Sequence, residues 1–283
     1  REAESGLVAG VDFALAFSPE RIDPGNPAFG LQNTPKVVGG YTPACAQAAE
    51  QFYGKFCDQV VRARGTREAE MAKLLENTYR HVNIALVNEM AIFCHELGID
   101  LWDAIACAAT KPFGFAPFWP GPGVGGHCIP IDPNYLSYRV RRLGYPFRFV
   151  ELAQEINARM PAYIVSRITD LLNRHHTPLA DAHILLLGVT YKPDIADTRE
   201  TPATTIATML HAKGATLTWH DPHPPHWTPA GHTFPRITNT QLPHALTTHH
   251  LTVLLQNHTH YTPQLLSRAT LLFDTRGHPH PPP

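Results

Sequence analysis

The chain has 283 residues, of which 43% are hydrophobic and 17% are charged, so it is long enough for two compact units with a sizeable core. A formal net charge of −1 gives no electrostatic reason to expect a nucleic acid or an anionic membrane as partner, and no apolar run approaches the length of a membrane-spanning helix. The five cysteines form no C-x-x-C pair, which favours a reducing cytoplasm over a disulfide framework or a zinc site.

Residues 1 to 66 have the pattern of the end of an alternating α/β unit. We expect DFALAF and PKVVGG to be short buried strands, CAQAAEQFYGKF to be a helix, and VVRARG to follow it. A lone edge strand cannot bury both of its faces. The sequence therefore predicts that this chain is the remainder of something longer.

From Arg67 the apolar residues recur at helical spacing across about 30 positions, and Gly98 is a natural end for that helix. Asp100 is expected to cap a shorter helix, LWDAIACAAT. After a loop rich in proline, glycine and aromatic residues, Asp132-Pro133 has the chemistry of another helix start. A further long helix, FVELAQEINARMPAYIVSRITDLLN, is predicted with a kink or break at Pro161.

Beyond His176 the pattern changes to short apolar strands that alternate with helices. The predicted strands are HILLLGVTY, ATLTWHDP, LTVLLQ and ATLLFDTRG, and the clearest helix is TPATTIATMLHAKG. This alternation predicts a parallel, doubly wound sheet. Most of the 18 histidines also lie in this part of the chain. They indicate either metal binding or a biased surface composition, and we favour the second because none stands at ligand spacing from acidic residues or cysteines.

The segment GPGVGGHCIPIDP, residues 121 to 133, satisfies the dinucleotide pattern G-x-G-x-x-G. A dinucleotide loop needs a buried strand before it and a helix directly behind it, whereas here FAPFWP precedes and His-Cys-Ile-Pro follows. We therefore interpret the segment as a loop that closes over a ligand. Its glycines permit close backbone approach and positive φ, and they are Gly121, Gly123, Gly125 and Gly126.

Cys128 stands in this glycine loop, just before a predicted helix N-terminus, where the helix dipole favours a thiolate. A free cysteine is more often a small buried hydrophobe, and we expect that of Cys94 and Cys107 on their helices. Asp132 is expected to cap the helix or to face the thiol and hold or move a proton, and the two roles are compatible.

Four blocks of the sequence, in the order SPERIDPGN, EAEMAKLLENTYRHVNIALVNEMA, GPGVGGHCIPIDP and GVTYKPDIADTRETP, resemble the UDP-glucose/GDP-mannose dehydrogenase family. The bacterial branch that acts on UDP-N-acetylhexosamines is the most similar. The resemblance implies an α/β fold in three parts: the remnant of an N-terminal NAD-binding Rossmann domain (1–66), a central all-helical dimerisation domain (67–174), and a C-terminal Rossmann-like, parallel-sheet domain that binds the UDP-sugar (175–283).

The resemblance also implies a reaction, the oxidation of a sugar C6 alcohol to a carboxylate in two NAD-dependent steps. Cys128 would attack the C6 aldehyde to form a thiohemiacetal, which is oxidised to a thioester that water cleaves. Lys73 and Asn77 match the family's oxyanion-stabilising lysine and asparagine, although their spacing alone would favour a solvated helix face. Asp132 matches the aspartate that works with that lysine and a water, and Glu20 matches a glutamate that activates water or contacts substrate.

Seven residues match positions that the family uses to bind substrate: Arg21, Gly123, Gly125, Gly126, Tyr191, Lys192 and Arg276. Pro24 stands where the glucose-specific branch has a second glutamate, which weakens an assignment to UDP-glucose. The family's G-x-G-x-x-G unit, its acidic ribose partner and an early catalytic threonine have no counterpart. Most of the NAD domain is therefore expected to be missing.

The function expected from the resemblance is a cytoplasmic, homodimeric UDP-N-acetyl-D-glucosamine 6-dehydrogenase that serves polysaccharide biosynthesis. One alternative is a truncated, non-catalytic module that dimerises and binds a UDP-sugar, and another is a UDP-glucose 6-dehydrogenase. A cysteine hydrolase is the least favoured, because nothing in the sequence nominates a histidine base.

Overall fold

The computed structural model describes residues 2–126 and 128–277, without the side chains of residues 2–3 and 128–134. The chain divides into two compact units, Arg1–Tyr79 and Arg80–Pro283. Each unit is described by itself. Among the described residues, no helix combines the length and the apolar character that crossing a bilayer requires. The three-part division at residues 66 and 174 stays a prediction.

The first unit contains a three-stranded sheet with one helix between its last two strands. Strand β2 pairs antiparallel with β1 and parallel with β3. Its elements are α1 (Glu2–Ser5), β1 (Ala16–Phe17), β2 (Lys36–Gly40), α2 (Pro43–Tyr53), β3 (Val60–Arg62) and the start of α3 (Thr66–Glu96). The prediction of a buried strand over DFALAF was wrong in extent and burial. Only Ala16 and Phe17 form a strand, at the edge of the sheet, and both are exposed, while Phe13 forms a single bridge with Ala9.

The helical part of the second unit contains the rest of α3, α4 (Leu101–Ala109), α5 (Cys128–Arg141) and α6 (Arg148–Arg174). The predicted end of α3 is confirmed, since Gly98 has a φ of +68° and the N–H of Ile99 donates to the carbonyl of Cys94 at 2.8 Å. The predicted cap of α4 is confirmed as well, because the carboxylate of Asp100 accepts the N–H of Trp102 at 3.0 Å.

The predicted start of α5 was wrong, and of the kink or break predicted at Pro161 the break is excluded. Helix α5 begins at Cys128 rather than at Asp132-Pro133. With this start Pro130 lies in the first turn, where a backbone N–H has no intrahelical partner, but Pro133 lies at the sixth position, where its missing N–H costs one helical hydrogen bond. Helix α6 runs through Pro161 without a break. Its later turns bury Ile164 and Ile168 against the sheet, and this burial outweighs the lost hydrogen bond.

The predicted parallel sheet is confirmed, with strand order β5-β4-β6-β7 and every pair parallel. Helices cover both of its faces, as a doubly wound sheet requires. Ile184 and Leu186 of β4 belong to the core on one face, whereas Leu185 and Leu187 belong to the core on the other, each burial contributing about 1.5–3 kcal/mol. The elements are β4 (His183–Leu187), α7 (Pro202–Ala212), β5 (Thr216–His220), α8 (Leu242–Thr248), β6 (Leu251–Leu254), α9 (Pro263–Leu266) and β7 (Leu272–Asp274).

Candidate functional site

The polar side chains of the second unit concentrate at the carboxyl edge of its parallel sheet. Tyr191 and Lys192 follow β4, Asp221 follows β5, His258 follows β6 and Arg276 follows β7. Parallel strands end at a common edge, and open α/β sheets bind their ligands outside that edge. The edge is therefore the first place to look for a binding site in this unit.

The glycine loop lies directly against the segment that follows β4. A Cβ placed on Gly125 would lie 2.7 Å from both the carbonyl oxygen of Glu200 and the Cβ of Tyr191. A Cβ on Gly126 would lie 2.8 Å from the ring of Tyr191, and the φ of Gly126 is +83°. The N–H of Gly126 also donates to the carbonyl of Arg199 at 3.0 Å. Only glycine fits at these two positions, where the loop packs against the protein's own Tyr191 and Glu200, and its closing over a ligand stays a prediction.

Arg276 lies at the other end of the same loop. Its Nε donates to the carbonyl of Leu255 at 2.7 Å, and a Cβ on Gly121 would come within 2.9 Å of its Nη1. Burial lowers the pKa of Arg276 to about 10, although the charge of Asp274 opposes the shift. The guanidinium therefore stays protonated at neutral pH while it is partly withdrawn from water, where its interaction with an anion is stronger.

Two further members of the predicted set are Gly123, which lies between these contacts in the loop, and Lys192, which follows Tyr191 in the chain. Gly123 has a φ of +137°, and a Cβ there would lie 3.2 Å from the side chain of Pro202. Lys192 is half-buried beside Tyr191, and its carbonyl accepts the hydroxyl of Thr190 at 2.8 Å. The structure thus places six of the seven predicted substrate-binding residues along one stretch of the sheet edge.

A buried amide network, which the sequence did not reveal, holds the start of the glycine loop. The N–H of Gly121 donates to Oδ1 of Asn88 at 2.9 Å, and Nδ2 of Asn88 donates to Oδ1 of Asn157 at 2.9 Å. The second amide in turn reaches the carbonyl of His81 at 3.4 Å. Both asparagines are at most 5% exposed, so the loop is fastened to α3 and α6 through bonds shielded from water.

Two buried histidines at the sheet edge depart from the interpretation of the histidine-rich sequence as surface composition, which holds for most of the other described histidines of this part. His258 is fully buried, and its Nε2 lies 2.9 Å from Oδ2 of Asp221, which is also fully buried. His220 is 1% exposed and lies with Nε2 2.8 Å from Oδ1 of Asn239. The signal available in the sequence was position, since His220 ends β5 and His258 falls four residues after β6.

Asp194, His223 and His258 lie close enough together to offer three metal ligands. Oδ1 of Asp194 is 3.5 Å from Nε2 of His223 and 3.7 Å from Nδ1 of His258. However, Nδ1 of His258 accepts the backbone N–H of Asp194 at 2.8 Å, so its lone pair already has a partner. We therefore interpret the cluster as a hydrogen-bonded network in its own right.

A cavity of about 190 Å³ adjoins the contact between the glycine loop and Arg276. Trp102, Tyr163 and Phe273 are among the aromatic residues that line it, and the guanidinium of Arg167 lies 5.7 Å and 5.9 Å from the last two rings. The indole Nε1 of Trp102 donates to the carbonyl of Arg276 at 3.2 Å. The cavity therefore offers aromatic walls and a cation beside the site.

In the first unit, Glu20 is the most exposed of the predicted site residues, with 65% of its side chain accessible. Burial would raise the pKa of Glu20, but the N–H of Ile22 and the charges of Lys36 and Lys73 outweigh it and keep that pKa below its usual value. Glu20 is therefore a carboxylate at neutral pH, close enough to Lys73 to feel its charge.

The other predicted residues of this unit are more enclosed. Lys73 is half-buried and Asn77 is fully buried one turn further along α3, so a solvated helix face was the wrong alternative for Asn77. Arg21 forms an ion pair with Glu76 at 2.8 Å and donates to the carbonyl of Pro35 at 2.7 Å. Its donors are thus already engaged within the unit.

The side chains of Cys128 and Asp132 lie outside the described residues, so their predicted roles stay predictions. The backbone places Cys128 at the first position of α5, where the helix dipole would favour a thiolate. Of the two cysteines expected to be buried, Cys94 is buried, but Cys107 is exposed, so the expectation was wrong for Cys107.

Two sequence profiles match the chain. One describes the UDP-glucose/GDP-mannose dehydrogenase family, central domain, and covers residues 67–159. The other describes the UDP binding domain of the same family and covers residues 185–280. The first matched range contains the glycine loop, and the second contains Tyr191 and Arg276, which the loop contacts.

Individual proteins agree with the profiles. A UDP-N-acetyl-D-mannosamine dehydrogenase of Methanococcus maripaludis is 38% identical over 209 residues, which are 74% of this chain and 47% of the relative. A UDP-N-acetyl-D-glucosamine 6-dehydrogenase of Pseudomonas aeruginosa is 37% identical over 210 residues, 74% of this chain and 49% of the relative. The solved structure of a UDP-D-ManNAc dehydrogenase from Pyrococcus horikoshii superposes with a TM-score of 0.83 at 30% identity, covering 98% of this chain and 64% of that one. The chain thus spans about half the length of the curated relatives it matches.

Proposed function

From the premise that this chain belongs to the UDP-glucose/GDP-mannose dehydrogenase family, we propose that it is the UDP-sugar-binding and thiol-bearing portion of a nucleotide-sugar 6-dehydrogenase. The observation that carries the proposal is the seating of the glycine loop. Its glycines touch Tyr191 at one end and Arg276 at the other, along the carboxyl edge of a parallel sheet. Backbone, an aromatic ring and a cation meet along this loop, which ends two residues before Cys128, the first residue of α5.

The charges of this strip suit a nucleoside diphosphate. Arg276 presents a guanidinium whose Nε is fixed on the carbonyl of Leu255, so its remaining donors are oriented. A planar fork of donors matches two phosphate oxygens, and partial burial strengthens the attraction. Lys192 supplies a second cation on the neighbouring loop. The two charges together balance the diphosphate of a UDP-sugar.

For the sugar, we propose a UDP-N-acetylhexosamine, with UDP-N-acetyl-D-glucosamine as the expected member of the class. Two of the relatives are named for N-acetylmannosamine and N-acetylglucosamine. Pro24 in place of the second glutamate of the glucose-specific branch argues against the alternative of UDP-glucose. Comparing turnover of UDP-GlcNAc, UDP-ManNAc and UDP-glucose tests the choice, and a preference for UDP-glucose overturns it.

For the chemistry, we propose that the thiolate of Cys128 attacks the C6 aldehyde and holds the sugar as a thiohemiacetal, later a thioester. Lys73 and Asn77 stand one turn apart on α3, where an ammonium and an amide suit an oxyanion. Asp132 and Glu20 are the proposed acid–base residues for the water that cleaves the thioester. The lowered pKa of Glu20 keeps it deprotonated, as a proton acceptor must be.

NAD supplies the hydride acceptor in the proposed reaction. Among residues 2–126 and 128–277, no G-x-G-x-x-G loop follows a strand and opens a helix, because residues 110–120 before Gly121 contain no strand. These residues do not fit a dinucleotide site, so none of them is assigned to the cofactor. The protein is proposed to oxidise its substrate with NAD, in the cytoplasm, for polysaccharide biosynthesis.

The coverage of about half of each relative favours a second candidate, a module that dimerises and binds a UDP-sugar without turning it over. Dimerisation through the central helices is proposed for either candidate. In its support, α3 exposes Leu86 and Phe93, which are two helical turns apart and 52% and 46% accessible. Light scattering of the purified chain tests it, and a monomer at every concentration contradicts it.

Mixing the purified chain with NAD and UDP-GlcNAc separates the two candidates. Two NADH per sugar oxidised, lost in Cys128→Ser, is the result expected of the enzyme. Saturable UDP binding without NADH identifies the module. Absence of both UDP binding and NADH formation would refute the proposed function in either form.

A further inference from the structure

The segment that follows β4 is anchored at both ends on one buried pair of side chains, His258 and Asp221. The N–H of Val189 donates to Oδ2 of Asp221 at 2.7 Å. Five residues later, the N–H of Asp194 donates to Nδ1 of His258 at 2.8 Å. Lys192 lies between these two bonds. Neither His258 nor Asp221 belongs to the residues that the sequence associated with the site.

A third bond links the pair to the middle of the segment. The hydroxyl of Thr190 lies 3.2 Å from Nε2 of His258 and donates to the carbonyl of Lys192 at 2.8 Å. Since that hydroxyl hydrogen is directed to a carbonyl, the oxygen is left to accept from the imidazole. The position of Lys192 is therefore connected to the imidazole through the hydroxyl of Thr190, a residue that is 2% exposed.

These bonds fix the tautomer of His258. Nδ1 accepts an N–H, so the ring proton resides on Nε2, where it is shared between Oδ2 of Asp221 at 2.9 Å and the hydroxyl of Thr190. Burial would raise the pKa of Asp221, but bonds from His258 and from the N–H groups of His223 and Val189 outweigh it and leave that pKa low. The neutral imidazole of His258 thus donates to the carboxylate of Asp221. In the opposite tautomer, the N–H at Nδ1 would point at the backbone N–H of Asp194.

The segment also holds a backbone conformation that it would not adopt unaided. Asp194 has a φ of +59°, in the left-handed region that non-glycine residues seldom occupy. Two hydrogen bonds hold Asp194 in this conformation. Its N–H donates to His258, and its carboxylate accepts the N–H of Thr259 at 2.9 Å. The conformation of the loop is therefore imposed by its partners on the loop after β6.

We infer that His258 and Asp221 are positioning residues for nucleotide-sugar recognition, which set the placement of Tyr191 and Lys192 without touching the substrate. The inference rests on the proposed function, because it assumes that these two side chains contact the nucleotide. It assigns the buried histidine of a histidine-rich domain to the geometry of the binding loop rather than to a metal.

The sharpest test is Thr190→Val, because valine has nearly the same shape and leaves His258 and Asp221 in place. Loss of one hydrogen bond of ordinary strength should weaken UDP binding roughly 2- to 10-fold in calorimetric titration. Thr208→Val is the matched control. Its hydroxyl donates to the carbonyl of Thr204 within α7, and UDP binding should not change.

Two substitutions of His258 separate its two bonds. His258→Gln retains a donor toward Asp221, and His258→Asn retains an acceptor for Asp194, so each should bind UDP more tightly than His258→Leu. The exposed His226→Ala serves as control for surface histidines and should bind as the wild type does. Thermal unfolding of each variant reports whether the chain still folds.

The outcomes distinguish a failure of the positioning role from a failure of the proposed function. If wild-type protein binds UDP and both Thr190→Val and His258→Leu bind it equally well, the positioning role is wrong and the proposed function stands. The positioning role is also wrong if His258 variants lose thermal stability but keep the UDP dissociation constant of the wild type. If the wild type does not bind UDP, both the inference and the binding function fail.

Discussion

Replacing Gly125 by alanine probes the seating of the glycine loop with a single methyl group. The new Cβ would lie 2.7 Å from the carbonyl oxygen of Glu200 and 2.7 Å from the Cβ of Tyr191. Neither neighbour is the free end of a flexible side chain, so the loop and the Tyr191 segment must move apart. The φ of Gly125 is not positive, so the effect comes from contact alone and not from backbone strain.

The size of the effect follows from the energetics of overpacking. Inserting a methyl group into a closely packed contact costs about 1–3 kcal/mol. If this free energy is lost entirely from UDP binding, the UDP dissociation constant rises roughly 5- to 150-fold. Titration calorimetry measures it, and urea unfolding measures stability in the same preparation.

Gly30→Ala is the matched control, because a Cβ there meets no atom within 4 Å and the φ of Gly30 is not positive. It should leave both the UDP dissociation constant and stability unchanged. The reasoning is refuted if Gly125→Ala binds UDP as tightly as Gly30→Ala does while both are fully folded.

Three further predictions address other parts of the structure. The pKa of His220 falls from 6.5 to about 4 because burial disfavours the imidazolium. Below pH 6.5 the unfolded chain takes up this proton first, so stability is fully present above that pH and declines by roughly 3 kcal/mol toward pH 4. Urea unfolding of His220→Gln should therefore show a fall in the free energy of unfolding that is smaller by that amount. Parallel profiles of unfolding free energy against pH in the two proteins would contradict the prediction. Asn88→Ala leaves the N–H of Gly121 without its acceptor and should lower the free energy of unfolding by about 1–3 kcal/mol, whereas no change would show that the network does not hold the loop. In the native protein, Cys107 should react with a thiol reagent before Cys45, Cys57 and Cys94, which are buried. Equal rates, measured by peptide mass spectrometry, would contradict the burial.

The sequence predicted those elements whose cause is local. The apolar runs of β4 to β7 and the helix that ends at Gly214 between the first two suffice to predict a parallel sheet, and Asp100 caps α4 because its carboxylate can reach the N–H groups of Trp102 and Asp103. The same local reasoning failed at Pro161, where burial of α6 on the sheet outweighs the preference of proline to end a helix. Tertiary packing decided that position.

The sequence named residues that meet the glycine loop, but it did not name the residues that support them. The motif match identified Tyr191 and Arg276, and the structure puts both against the glycine loop. The burial of His258 depends on Asp221, which lies 37 residues away in the chain, and no local pattern announces such a pair. Histidine is common on surfaces, so composition pointed away from the network that holds the loop.

The central claim is that the strip between the glycine loop and Arg276 binds the diphosphate of a UDP-sugar. Calorimetric titration of the purified chain with UDP tests it most directly when Arg276→Gln is titrated beside the wild type. We predict one saturable site per chain in the wild type and a loss of affinity of at least about tenfold in the variant, as expected for a charged hydrogen bond. Absence of binding in the wild type, or equal affinity in a folded Arg276→Gln, would contradict it.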